Sequence, residues 1–143
     1  MNKTQTAAKH FSTGKNCAQS VLLAFAEELN LPEDQVIRMT SGFGGGIAKH
    51  GHVCGAVSGA IIVLGMKYAD GGTPDEANAA AYSMVNKFLE EFEKKNSSIM
   101  CKDLIDGLDL NDPGDRAEWK SRNLHDVTCL PVVESAVRII ETL

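Results

Sequence analysis

Apolar positions recur at intervals of three and four through most of the chain, which is the period of an amphipathic helix. Lys3 to Thr13 puts Ala7, Ala8 and Phe11 on one side and ends at Gly14. Asn16 reads as the N-cap of a second helix, Cys17 to Leu29, with Val21, Leu22, Phe25 and Leu29 as its apolar face. Asn30-Leu31-Pro32 breaks that helix. Pro32-Glu33-Asp34 then opens a third, to about Met39, with proline in the first turn and acids at its positive end. Val53 to Tyr68 reads as an uncharged, buried helix carrying Gly55, Gly59 and Gly65. Small residues four apart, with Ala56 and Ala60 beside the first two glycines, let another backbone approach closely. Each glycine lowers helix propensity by about 1 kcal/mol, so burial must offset the loss.

Asp70-Gly71-Gly72 is a turn, and Thr73-Pro74-Asp75-Glu76 is a capping box with proline at the first helical position. The helix it starts, about Pro74 to Lys95, is roughly 33 Å long. Its core face is Ala77, Ala80, Ala81, Met84, Val85, Phe88, Leu89 and Phe92. A short helix around Ile99 to Asp106 follows, capped by Ser97 or Ser98. Leu108 to Asn123 reads as a loop, with Asp112-Pro113-Gly114 as a turn. Thr128 caps a last helix, about Cys129 to Glu141, whose face is Val132, Val133, Ala136, Val137 and Ile140. No strand, repeat or low-complexity segment emerges. The expected fold is all-α: a compact single-domain bundle of five to seven helices over residues 1–143, with a glycine-rich loop.

Composition narrows the function. Fourteen basic and 19 acidic side chains give a net charge of −5. No basic stripe is visible, so nucleic acid is not an expected partner. The longest stretch free of charged residues and histidines, Val53 to Met66, is 14 residues. A membrane span needs about 20, so no membrane association is expected. Met1 to Gly14 lacks the apolar core of a signal peptide, and the expected location is the cytoplasm. Structural disulfides are disfavoured there.

The four cysteines carry the candidate chemistry. Cys17, Cys54, Cys101 and Cys129 form no C-x-x-C pair, so neither a zinc ribbon nor a thioredoxin motif is present. All four fall at or near expected helix starts. Free N–H groups and the helix dipole there stabilise a thiolate, and thiolates are what iron and zinc bind. The alternative reading is four small hydrophobes in a helical core.

The ordered pattern Cys17 … Cys54-Gly55-Ala56-Val57-Ser58-Gly59 … Cys101 … Cys129 resembles a redox-active four-cysteine family, C_GCAxxG_C_C. Supporting segments are Asn16 to Leu22, Gly42 to Gly46 and Gly65 to Tyr68, and the resemblance covers roughly residues 7 to 140. It implies a small redox-active or metal-binding protein centred on the four cysteines, with no particular reaction. A similar domain occurs in split-Soret cytochromes c, where the cysteines are associated with an iron–sulfur centre. This chain lacks the C-x-x-C-H haem attachment motif, so no haem is expected.

Other candidates rank lower. His50 and His52 flank Gly51 just before Cys54 and suit zinc, but read better as exposed loop histidines. The Gly42 to Gly46 loop lacks the lysine and hydroxyl of a P-loop, and reads as a tight turn lining the cysteine pocket. Trp119 reads as packing. The aspartates from Asp103 to Asp115 lack the EF-hand pattern.

The leading expectation is an iron–sulfur cluster held by Cys17, Cys54, Cys101 and Cys129, with Gly55 and Gly59 beside it, for electron transfer or redox sensing. An electron carrier is favoured over a substrate-specific enzyme. The alternatives are a thiol/disulfide oxidoreductase, a structural zinc module, and an interaction protein whose cysteines pack. A homodimer is expected because the glycine-marked helix is apolar all round. The redox partner is not readable from the sequence.

Overall fold

The computed structural model describes residues 1–143 and contains eight α-helices and no strand. They are α1 (Lys3–Ser12), α2 (Cys17–Phe25), α3 (Glu33–Thr40), α4 (Gly55–Tyr68), α5 (Pro74–Asn96), α6 (Cys101–Leu104), α7 (Pro113–Ser121) and α8 (Leu130–Glu141). The all-α bundle expected from periodicity is what forms, with one helix more than the expected range. No helix is long and apolar enough to cross a membrane.

Local chemistry sets most boundaries. Asn2, Asn16 and Thr73 each close a capping box, with Gln5, Gln19 and Glu76 reaching back to the cap N–H. Pro32 sits at the N-cap of α3, one position before the first turn. α2 ends at Phe25, and looser turns carry the chain to Asn30, which takes a left-handed φ of 54°.

Three expectations fail. Leu108 to Asn123 is not a loop throughout, because Pro113–Ser121 is helical. Asp112 caps it by accepting from Asp115 N at 2.9 Å, and Pro113 stands in its first turn. The Asp-Pro-Gly run is therefore a helix start, which the same residues also favour. Ser97 and Ser98 do not cap α6. Ser97 ends α5 in a left-handed conformation, while Ser98 Oγ accepts from Met100 N and donates to Asp103. Thr128 does not start the last helix either. Helical backbone already runs through a π turn over His125–Cys129, where Leu130 N–H reaches back to His125 O. Pro131 has no N–H to give to the carbonyl four residues earlier, and its ring crowds that carbonyl, so the turn widens.

One core of 23 buried residues joins α1, α2, α4, α5 and α8, with Val36 added from α3. α2 packs most extensively on α4, and α1 packs on α2 and α8. Gly59 permits the α2–α4 approach, since a Cβ there would lie 2.8 Å from Ala18 O. All five expected face residues of α8 are buried. On α5 only Phe88 and Phe92 are fully covered, and Ala80, assigned to the core face, is exposed. α4 is not enclosed on every side, because Ile61 and Met66 keep 37% and 50% of their surface exposed. A second, small cluster of Cys101, Ile105, Leu108 and Leu124 lies where Trp119 of α7 packs. The two clusters meet at the cysteines: Cys54 belongs to the large one, Cys101 to the small one, and Cys129 packs against both.

Candidate functional site

A cavity of about 680 Å³ opens at that junction, and all four cysteines line it. Each arrives on a different element. Cys17 is the first residue of α2, directly after the Asn16 cap. The Asn16 side chain also donates to the carbonyls of Thr40 and Ser41, and Gln19 donates to Ile37 O at 3.0 Å. These bonds tie the start of α2 to the start of the glycine loop.

Cys54 and Cys101 are brought together by backbone pairing. Cys54 N–H donates to Ile99 O at 2.7 Å, Cys101 N–H donates to His52 O at 2.7 Å, and Val53 and Met100 form an isolated antiparallel bridge. Cys54 is the N-cap of α4 and Cys101 the first residue of α6. Cys129 ends the π turn and is followed by α8.

The glycine loop makes room for this assembly. Gly45, Gly46, Ile47, Ala48 and Lys49 all have φ between 48° and 72°, a continuous left-handed turn. Such backbone costs about 1–2 kcal/mol per non-glycine residue. It is braced by Lys49 N–H to Gly44 O, His52 N–H to Gly46 O, and Asn111 Nδ2 to Lys49 O at 3.0 Å. A Cβ on Gly46 would lie 2.6 Å from Cys101 Cβ, and one on Gly55 would lie 3.0 Å from Cys17 Cβ. These two glycines therefore hold space beside two cysteines. Gly59 does not line the cavity and acts at the α2–α4 contact.

The electrostatics differ from what helix starts alone suggest. Hydrogen bonding of its thiol proton to Cys54, and then burial, hold Cys17 well above the ordinary thiol value. Burial pushes Cys101 up to about 12 and Cys129 up to about 11. Only Cys54 is lowered, first by the Cys17 thiol donating to its sulfur and then, against burial, by the Ala56 and Val57 N–H groups at the start of α4. Desolvation thus leads at Cys101 and Cys129, and at Cys17 it adds to the effect of the neighbouring Cys54. All four cysteines are free thiols, and no three His, Cys, Asp or Glu side chains close on one point as ligands of a single ion would.

The cavity also has residues that the sequence did not mark. Trp119 of α7 lines it, and its buried Nε1–H has no hydrogen-bond acceptor. That N–H is directed toward Cys129, whose anion it favours. His125 stacks on Phe11 with ring centroids 4.1 Å apart and meets Trp119 edge-on at 5.9 Å. Arg116 and Lys120 reach the cavity from the same helix as Trp119. Reading Leu108 to Asn123 as a loop hid their spacing, which places all three on one helical face. His50 and His52 are exposed and lie outside this cavity, as expected, and His50 lines a smaller pocket. The aspartates serve local roles, such as the Asp112 cap and the Asp106 ion pair with Arg122.

The donor set fits an iron–sulfur cluster: four thiols converge from four elements on a cavity large enough for one, with a buried N–H left without an acceptor. The Ala56 and Val57 N–H groups at the start of α4 favour the Cys54 anion.

Comparison with known proteins agrees with the cysteine pattern. Residues 15–143 match the family described as "Putative redox-active protein (C_GCAxxG_C_C)". The family name writes its central motif with glycine before cysteine, whereas this chain has Cys54 before Gly55. An uncharacterized protein of Archaeoglobus fulgidus is 32% identical over 133 residues, covering 87% of this chain and 82% of its own length. No solved structure matches the chain. With four cysteines in order and the match running from just before the first of them to the last residue, the chain belongs to the C_GCAxxG_C_C family of redox-active proteins.

Proposed function

We propose that Cys17, Cys54, Cys101 and Cys129 together hold an iron–sulfur cluster, and that the protein transfers electrons or senses redox state through it. The observation that carries this reading is the convergence of all four cysteines on one cavity from four separate elements. A bound cluster would supply one-electron chemistry, tuned by hydrogen bonds to its sulfurs. Trp119 Nε1–H and the Ala56 and Val57 N–H groups are placed to donate such bonds at Cys129 and Cys54. Zinc needs four sulfurs about 2.3 Å from one point. No three ligating side chains close on one point in that way, which tells against a single zinc ion.

The test is anaerobic purification followed by a visible spectrum and iron, sulfide and zinc analysis. Iron and sulfide in comparable amounts, with broad visible absorbance lost in Cys54→Ala, is the expected result. A colourless protein with stoichiometric zinc, or with no metal, overturns the proposal.

One observation favours a second reading. Cys17 packs against the Cys54–Gly55 step, where a Cβ on Gly55 would lie 3.0 Å from Cys17 Cβ, and Cys54 is the sole thiol shifted toward its anion, first by Cys17. That pair suits thiol/disulfide exchange, in which a low-molecular-weight disulfide takes two electrons and two protons and leaves as two thiols. Mass spectrometry across a glutathione redox series distinguishes it: a Cys17–Cys54 disulfide in metal-free protein supports exchange, and four free thiols throughout remove it.

A further inference from the structure

The chain is acidic, yet its cysteine cavity is not. Of the 24 residues lining it, four are cations, Lys15, Lys49, Arg116 and Lys120, and none is an aspartate or glutamate. The chain has 19 acidic residues to 14 basic, so this separation is opposite to the overall balance. None of the four cations has a carboxylate partner. The ion pairs of the protein use Lys67, Lys94, Arg122, Arg138 and His125 instead. Arg122, one residue past the end of α7, is held by Asp106 and Glu118, whereas Arg116 and Lys120 on the same helix are left free.

These cations arrive from three directions. Lys15 stands in the turn before α2, Lys49 at the end of the left-handed turn, and Arg116 and Lys120 on α7. Between them the wall is apolar and aromatic, with Phe11, Leu104, Ile105, Leu110, Trp119 and Val132. A volume of about 680 Å³ lies in the range of sites for small organic molecules, about 300–1,000 Å³. Apolar walls with a few converging charged groups are the usual makeup of such sites.

We propose that this cavity binds a small organic anion, a carboxylate or phosphate ester with an apolar body, beside the cysteines. The body lies against the aromatic wall and the anionic group meets the cations, with Arg116 able to offer a two-pronged donor to either oxyanion. The cations line a recess and not a flat face, which favours a small molecule over an acidic protein. This names the substrate class of the cysteine site and rests on the redox reading only in setting the anion next to that centre.

The test uses calorimetry on the protein as isolated anaerobically and again after its metal is removed. The probes are benzoate and phenyl phosphate, with benzyl alcohol as the uncharged control, inorganic phosphate as the anion without an apolar body, and polyglutamate as the macromolecular acid. Benzoate or phenyl phosphate should bind while benzyl alcohol does not, and the two anions' ratio tells carboxylate from phosphate ester. Inorganic phosphate should bind more weakly than phenyl phosphate. Arg116→Ala and Lys120→Gln should each weaken binding roughly tenfold, the loss expected for one charge-assisted contact. Lys87→Gln, an exposed α5 position outside the cavity, should leave it unchanged.

No binding of either aromatic anion in either form overturns the proposal. So does binding of polyglutamate alone, which would make the mouth a docking surface. So does loss of iron in Arg116→Ala when no probe binds, which would make the cations counter-charges for the cluster. The redox reading is judged separately, since colourless, metal-free protein that binds benzoate sinks the cluster and leaves the anion site standing.

Discussion

Gly46 and Gly65 show how differently one residue type is used in this chain. Gly46 has φ +72° and no space for a side chain, because a Cβ would lie 2.6 Å from Cys101 Cβ and 2.7 Å from His52 N. Gly46→Ala should cost at least about 1–3 kcal/mol, through overpacking and backbone strain together. Gly65 lies inside α4 with nothing within 4 Å of a Cβ, so Gly65→Ala should stabilise by about 0.5–1 kcal/mol. Urea unfolding of the two variants checks both signs, and a neutral Gly46→Ala would remove the loop's role in clearing space for Cys101. Gly59→Leu should also be costly, because even its Cβ would meet Ala18 O at 2.8 Å.

The buried thiols give a signed pH dependence. Burial pushes Cys101 up to about 12 and Cys129 up to about 11 in the folded protein, against 9.0 for a solvent-exposed thiol. Above pH 9.0 the unfolded chain therefore binds fewer protons than the folded one, and stability falls as pH rises until the folded thiols ionise. Each such thiol contributes a slope of up to about 1.4 kcal/mol per pH unit. Reduced, metal-free protein should show a falling urea midpoint above pH 9, and Cys101→Ala should flatten it. The same slope in both proteins would mean that Cys101 is not held in its protonated form. Helix-start placement suggested lowered thiol values, but burial dominates at Cys101 and also at Cys129, where the Trp119 N–H only partly offsets it, and burial is a tertiary quantity.

At the scale of elements, α7 is the most informative departure from the sequence reading. Its polar composition and lack of a fully buried residue leave little periodic signal, so Asp112-Pro113-Gly114 read as a turn. The structure uses the same residues as a cap and a first turn, and that helix carries Arg116, Trp119 and Lys120 to the cavity. Removing the cap with Asp112→Ala should weaken α7 by about 1 kcal/mol. Amide hydrogen exchange should then speed up over 113–121, and Trp119 fluorescence should shift to the red. Faster exchange without a fluorescence change would mean that Trp119 is held by its cluster neighbours and not by its helix. α1, α2, α5 and α8 were legible because each couples a boundary signal or a clear apolar face to its core. The pairing of residues 51–54 with 99–102 was not, since a single bridge leaves no alternation to read.

For the whole molecule, the large core joins six helices that bury their own apolar faces, and only one cysteine, Cys54, is among its buried residues. Folding should therefore not depend on a bound metal, in contrast to a zinc finger, which is unfolded without its ion. Circular dichroism before and after cofactor removal, and on Cys54→Ala, should keep its helical signal while any visible absorbance disappears. Collapse of the helices on stripping would assign the cysteines a mainly structural role.

Helical period, capping boxes and four ordered cysteines are local patterns, and through them the sequence alone determined the all-α class, most helix starts and the family's four-cysteine pattern. It could also mark the glycine loop as unusual, because five glycines in twelve residues are visible without a fold. Only the tertiary structure decided that the four cysteines share one cavity, since they are separated by intervals of 37, 47 and 28 residues and no local rule spans such distances. It also decided which thiols are raised, which glycine faces which cysteine, and that four unpaired cations gather at the same place. Desolvation, steric clearance and charge convergence all depend on neighbours far along the chain, and those exist only once the helices have packed.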